Sequence, residues 1–210
     1  LLLDLEGHGR EEIVEGVDLS RTVGWFTTIF PVVLDCDNAW TAVEALRFVK
    51  EQLRAIPNRG IGYALLRYAG GAEGIAGALR ALPRAEVRFN YLGQLDRALT
   101  ESSIFRVAPE SSGPAQSPVG TRQYLLNVIG AVAGGELRLE WTYSENLHRR
   151  ETVDRLAQNY REELRTLIAH ARAGEAASYS PSDFPQAKLS QEDLDKVLAR
   201  LGGMRNENRK

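Results

Sequence analysis

The stretch that most constrains the fold of this chain runs from Gln123 to Tyr143. Two strand-like runs, Gln123 to Val132 and Glu136 to Tyr143, are joined by Ala133-Gly134-Gly135, which reads as a hairpin. The second run alternates, with Leu137, Leu139 and Trp141 on one side. Immediately afterwards the period changes. Val153, Leu156, Ala157, Tyr160, Leu164, Leu167, Ile168 and Ala171 recur at helical spacing over 149–173, and Gly174 stands where a helix stop is expected. The apolar stripe of such a helix needs a sheet face to cover, and strands alternating with helices define an α/β fold.

The rest of the chain follows the same alternation. Leu1-Leu2-Leu3-Asp4-Leu5 is short and apolar, as in a buried strand, and 26–34 is aromatic, β-branched or aliphatic, with Pro31 implying an edge, a bulge or a bend. Glu86 to Gln94 alternates until it meets Gly93. Between these runs, Trp40, Val43, Leu46, Val49 and Leu53 mark one face of a helix over 38–55, capped by Asp37 or Asn38. Glu11 to Gly16 reads as a short helical turn, and Pro57 to Tyr63 as a turn leading into a short helix through Leu65, Leu66 and Tyr68. Residues 74–82 fit either a small helix or a mobile loop, and 108–119 is an exposed loop rich in Pro, Ser and Gly. Ser190-Gln191-Glu192-Asp193 caps a helix reaching Leu201. The expectation is a mainly buried sheet from strands near 1–5, 26–34, 86–91, 123–132 and 136–143, with the helices near 39–55 and 150–173 packed on it.

Chemistry concentrates where the first strand ends. Glu6-Gly7-His8-Gly9-Arg10-Glu11 places two carboxylates, an imidazole and a guanidinium within six positions, close enough to shift one another's proton affinities. The glycines flanking His8 let other groups approach the main chain. The alternative is a charged loop with a glycine turn. Trp25 and Phe26 fit core packing or ligand contact, and Asn90 and Tyr91 carry polar groups that need partners if buried. His170, at the end of the long helix, suits a structural or dipole role.

Composition excludes several classes. A formal net charge of -2 leaves no basic field for a phosphate backbone, so no nucleic acid partner is expected. Cys36 is the single cysteine, so no internal disulfide forms, and no cysteine cluster suggests a metal site. With a single cysteine a cytoplasmic location fits, and no apolar run approaches the roughly 20 residues that cross a bilayer. A start inside an apolar strand reads as the rear part of a longer protein.

Four motifs in order carry a family resemblance: Glu-Gly-His-Gly-Arg-Glu at 6–11, Arg-Thr-Val-Gly-Trp-Phe-Thr at 21–27, Pro-Asn-Arg-Gly-Ile-Gly-Tyr at 57–63 and Phe-Asn-Tyr-Leu-Gly-Gln at 89–94. Together they resemble the second half of the epimerization domains of nonribosomal peptide synthetases, members of the condensation domain superfamily. Tyr143 to Leu156 and Pro181 to Leu201 also look like the closing part of such domains. The resemblance implies a chloramphenicol acetyltransferase-like half, a mixed sheet packed by helices, that would pair with a second α/β half across a cleft. Residues 1–178 would form the C-terminal subdomain, 179–203 a closing segment with a short helix, and 204–210 a linker toward a following domain.

The implied activity is conversion of an L-aminoacyl or peptidyl residue to the D form by two-base α-proton transfer. No cofactor is bound directly; the substrate arrives as a thioester on the phosphopantetheine arm of an upstream peptidyl carrier protein. By resemblance, Glu6 is the catalytic carboxylate, Arg10 holds it ionised or orients it, Asn90 and Tyr91 stabilise an enolate, and His8 and Trp25 contact substrate. The second base belongs to a His-His-x-x-x-Asp-Gly motif in the preceding half; no adjacent histidine pair occurs in this sequence. The implied partners are that N-terminal half and a following condensation domain. Two other readings stand beside this one. One is a condensation domain forming amide bonds, and the other is a non-catalytic scaffold that docks a carrier protein.

Overall fold

The computed structural model describes residues 1–11, 13–37, 41–69, 73–97, 108, 110–111, 113–114, 117, 119–172 and 179–207. Its strands are β1 (Leu2–Gly7), β2 (Thr28–Val33), β3 (Val87–Gln94), β4 (Leu126–Ala133) and β5 (Glu136–Tyr143). Its helices are α1 (Ala42–Arg54), α2 (Ile61–Ala64), α3 (Glu73–Ala81), α4 (Arg150–Arg172) and α5 (Gln191–Glu207). The chain divides into two compact units, Leu1–Val33 with Gly60–Asp154, and Leu34–Arg59 with Arg155–Lys210.

The first unit holds one five-stranded mixed sheet in the order β2-β1-β3-β4-β5. The pairs β1–β3 and β3–β4 are parallel, whereas β1–β2 and β4–β5 are antiparallel. β2 is therefore an edge strand, where Pro31 is tolerated because its missing N–H need not serve an inner ladder. Side chains alternate across the pleat, so register sorts the sheet into two faces. Leu3, Phe30, Val32 and Val128 lie on one face and are buried. Asp4, Glu6, Arg88, Asn90 and Asn127 lie on the other.

The hairpin turns through Gly134 and Gly135, with φ of 64° and 73°, values that fit a type I′ turn and that glycine adopts without steric cost. Asp96 accepts both glycine N–H groups, at 2.7 and 3.0 Å, and these bonds hold its carboxyl below the usual range. Of residues 74–82, open between helix and loop, 74–81 belong to α3, with Ala76 buried. The short helix through Leu65 is α2 followed by a π turn over Leu65–Ala69. Glu11 to Gly16 contains no helix among its described residues; Val17 N–H closes a turn on the Val14 carbonyl at 3.3 Å. The described residues of 108–119 have no helix or strand and are exposed.

The second unit is built on α1. The helix starts at Ala42 rather than near Asn38 because Thr41 and Glu44 form a capping box: Glu44 N–H donates to Thr41 Oγ1 at 3.2 Å, and Thr41 N–H donates to Glu44 Oε2 at 2.9 Å. Asn38 and Trp40, the expected cap and first face residue, lie outside the described residues. Facing basic groups of α1, the segment at Ser180–Asp183 forms its own capping box, with Ser180 fully buried at 0% exposure. Asp183 pairs with Lys50 and, at 2.8 Å, with Arg54, while Ser182 N–H donates to Glu51 Oε1 at 3.3 Å. Lys50 first, then the Ser180 N–H and Arg54, hold the Asp183 carboxyl far below its ordinary 3.8. α5 begins after Ser190, whose Oγ accepts from Asp193 N–H at 3.2 Å, and buries Leu194. It continues through Gly202 and Gly203 to Glu207, past the end expected at Leu201.

At Gly60, where φ is +84°, a Cβ would meet the Phe30 ring at 2.3 Å. Gly60→Ala should therefore lower unfolding stability by about 2–5 kcal/mol in urea titrations. Gly135→Ala has φ of +73° but open space, and should cost only the left-handed strain of about 1–2 kcal/mol. Asp183 has a depressed folded pKa, so it contributes stability above its unfolded pKa that disappears as pH falls. Asp183→Asn should be less stable than wild type at neutral pH, and the two melting temperatures should converge as pH drops below 3.8.

Candidate active site

Glu6 is the penultimate residue of β1, and the parallel register Asp4↔Arg88, Leu5↔Phe89 sets it on the polar face with Arg88 and Asn90 of β3, level with Asn90. Its side chain is only 11% exposed. A carboxylate so removed from water requires charged or hydrogen-bonding partners, and it has both. Arg88 Nη1 lies 3.3 Å from Oε1, and Asn90 Nδ2 donates to Oε2 at 2.6 Å. Asn90, itself buried, is thereby oriented with Oδ1 toward His8 Nε2 at 2.7 Å. His8 Nε2 must then carry the proton, and in the neutral imidazole Nδ1 accepts the Thr27 hydroxyl at 3.4 Å. One chain of contacts thus runs Arg88–Glu6–Asn90–His8–Thr27.

Behind it lies a second set. Arg88 Nε donates to Asn127 Oδ1 of β4 at 2.7 Å, and its guanidinium sits 5.2 Å from the centre of the Tyr124 ring. The Tyr124 hydroxyl donates to Asp4 Oδ2 at 2.7 Å, and burial, followed by this bond, pushes the phenol well above its ordinary 10. Asp4, Thr27 and Tyr124 also line a cavity of about 500 Å³, together with Ile29, Arg67 and Arg84. Among the described residues, no group of three or more His, Cys, Asp or Glu side chains is placed to hold a metal ion.

The structure brings Glu6, His8 and Asn90 together and leaves other expected site residues apart. Arg10 does not reach Glu6; its Nη2 donates to the Thr22 carbonyl at 3.2 Å and its guanidinium stacks 4.6 Å above the Phe26 ring. β1 ends at Gly7, so Arg10 lies beyond the ladder, in a loop that folds toward Thr22, and Arg88 occupies the place beside Glu6. Trp25 is 88% exposed, so of the two readings open for it core packing is the one the structure excludes. Tyr91, which the resemblance places in the site with Glu6, does not share its face of the sheet. Tyr91 follows Asn90 in the same strand, so the pleat sends its side chain to the opposite face, where it lies by Gly130 and is 45% exposed.

Arg88, Asn127, Tyr124, Asp4 and Thr27 join these contacts without being among the site residues that the sequence points to. The alternation of Val87-Arg88-Phe89-Asn90 already put Arg88 on the face of Asn90, which is the signal that pointed to it. No local pattern marks Tyr124 or Asn127.

The fold has a solved counterpart. The solved epimerization domain from the third module of tyrocidine synthetase B matches with a TM-score of 0.72 and 37% identity, over 82% of this chain and 38% of that one. The Condensation domain family model matches residues 1–190, and the chain belongs to that family. Chondramide synthase cmdD of Chondromyces crocatus is 50% identical over 206 residues, 98% of this chain and 5% of its own length. Gramicidin S synthase 1 of Brevibacillus brevis is 35% identical over 206 residues, 94% of this chain and 19% of its own length. The chain thus spans a small fraction of these synthetases. No helix among the described residues is long and apolar enough to cross a membrane.

Tyr124→Phe tests the second set. It leaves Asp4 without its buried donor and should cost about 1–3 kcal/mol at neutral pH. Because the folded phenol pKa is raised, the stability tied to this proton is present below pH 10 and lost above it, so the wild-type advantage over Tyr124→Phe should shrink in alkaline melts.

Proposed function

We propose that this chain is the C-terminal half of an epimerization domain of a nonribosomal peptide synthetase, and that Glu6 is one of its two proton-transfer groups. The observation that carries this reading is the Glu6 carboxylate, nearly buried and gripped on both oxygens by Arg88 and Asn90 at the end of β1. The 37% identity to a solved epimerization domain supports it.

The substrate is an aminoacyl or peptidyl thioester delivered on the phosphopantetheine arm of a carrier protein. Glu6 takes the α-proton from one face of the α-carbon. The C–H electron pair passes into the thioester carbonyl, forming an enolate, and a proton returns to the opposite face from a second group. That group is a histidine of the His-His-x-x-x-Asp-Gly motif in the preceding half of the domain. Each carboxylate oxygen of Glu6 has a lone pair left after its bond to Arg88 or Asn90, so the clamp orients the base without consuming it. Asn90 has a second amide hydrogen, which serves the enolate oxygen. His8 and Thr27 hold Asn90 in that orientation. Tyr91 and Arg10 have no part in the proton step. The carrier protein, the preceding half and a following condensation domain are the partners of this half, in the cytoplasm.

A second reading, amide-bond condensation, is favoured only by the family model that the chain matches. α-Proton exchange separates the two, since peptide-bond formation does not require breaking the α-C–H bond. In the full-length protein, Glu6→Gln keeps the size but removes the base and turns one of its two acceptor oxygens into a donor, so washout of substrate α-hydrogen into deuterated solvent should fall in at least one direction by a factor on the order of 10²–10⁴. Tyr91→Phe should leave exchange within severalfold of wild type, and the 210 residues alone should not epimerize. Undiminished exchange in Glu6→Gln, or racemisation by the isolated 210 residues, overturns the proposal.

A further inference from the structure

Glu6 needs more than a charge partner. The torsion that turns a glutamate carboxylate plane is broad and roughly two-fold, so an unheld carboxylate presents its lone pairs in many directions. Here the two donors come from residues at i and i+2 of β3. Such residues stand on one face roughly 7 Å apart along the strand, so a carboxylate between them is met from both sides. Asn90 fixes Oε2 and is itself oriented by His8. Arg88 meets Oε1, and three features hold the guanidinium: its Nη1 on Glu6, its Nε on Asn127 and its face near the Tyr124 ring. A planar fork can serve two acceptors along different edges at once; an ammonium cannot keep that geometry.

We infer that Arg88 is a positioning residue for the proton transfer, acting through Glu6: anchored by Asn127 and Tyr124, it locks the plane of the carboxylate so that its remaining lone pairs face the substrate α-carbon from one side. This inference rests on the reading of Glu6 as a proton-transfer group. Asn127 and Tyr124 contribute by holding Arg88, and none of the three touches the reacting carbon.

The test measures α-hydrogen washout separately from the L and the D substrate, in the full-length protein, for Glu6→Gln, Arg88→Lys, Arg88→Ala and Asn127→Leu, each first checked for a native melting transition. In a two-base mechanism Glu6 serves one enantiomer. Arg88→Lys should lower washout from that same enantiomer by roughly tenfold to a hundredfold, the cost of a misplaced reacting group, and spare the other. Guanidinium ion added to Arg88→Ala, well below denaturing concentration, should restore part of the lost rate. Asn127→Leu should show a smaller loss with the same enantiomer bias, and supplies the answer if Arg88→Ala does not fold. Equal loss from both enantiomers in a folded Arg88→Lys, or washout matching wild type, overturns the inference while leaving Glu6 in place. Full washout in Glu6→Gln overturns the proposed function itself.

Discussion

A carboxylate withdrawn from water at the end of a strand is the constraint on which the polar face of this sheet depends. Glu6 is 11% exposed, and a charge in that position is strongly destabilising unless matched by donors. Arg88 and Asn90 supply them, and each then needs partners of its own: Asn127 and Tyr124 for Arg88, His8 for Asn90. Tyr124 in turn is satisfied by Asp4. Removing any member leaves a neighbour unpaired, so the network is coupled, and substitutions within it should not add.

The mixed strand order is what makes this arrangement possible. Parallel pairing of β1 with β3 sets Glu6 level with Asn90 and beside Arg88. Parallel pairing of β3 with β4 sets Asn127 opposite Arg88. Antiparallel β2 pairs Gly7 with Thr28 and so brings Thr27 within reach of His8. The opposite face, with Leu3, Phe30, Val32 and Val128, carries the apolar burial that holds these strands in register. One face stabilises the sheet, and the other is free to be polar. A register slip of one residue would exchange the two and put Glu6 into the core.

Charge also organises the second unit, but there it is structural. Asp183 gathers Lys50, Arg54 and the Ser180 N–H, tying the closing segment to α1. The contrast lies in what surrounds the carboxylates. Asp183 accepts from groups that close a turn and cap a helix, whereas Glu6 belongs to a strand end where His8, Asn90 and Thr27 continue the chain of contacts.

Periodicity and turn chemistry act over a few residues, so the sequence alone determined the β4–β5 hairpin, the α4 helix and the α/β class, whereas Pro31 left an edge, a bulge or a bend open and the strand order made it an edge. It also singled out Glu6, His8 and Asn90, because a polar cluster at a strand end and a polar residue in an alternating strand are local signals. The cap of α1 went to Thr41 instead of Asp37 or Asn38 because the reciprocal bond with Glu44 satisfies two backbone groups at once. Which cation holds Glu6 was decided by tertiary structure. Arg10 is four residues away in sequence and Arg88 is in another strand, yet the parallel register brings the distant one to 3.3 Å while the end of β1 turns the near one toward Thr22. Tyr91 went to the other face by the same rule, since the pleat separates adjacent residues whatever their chemistry. Pairing register depends on which strands meet across the whole unit, and no window of sequence contains that information.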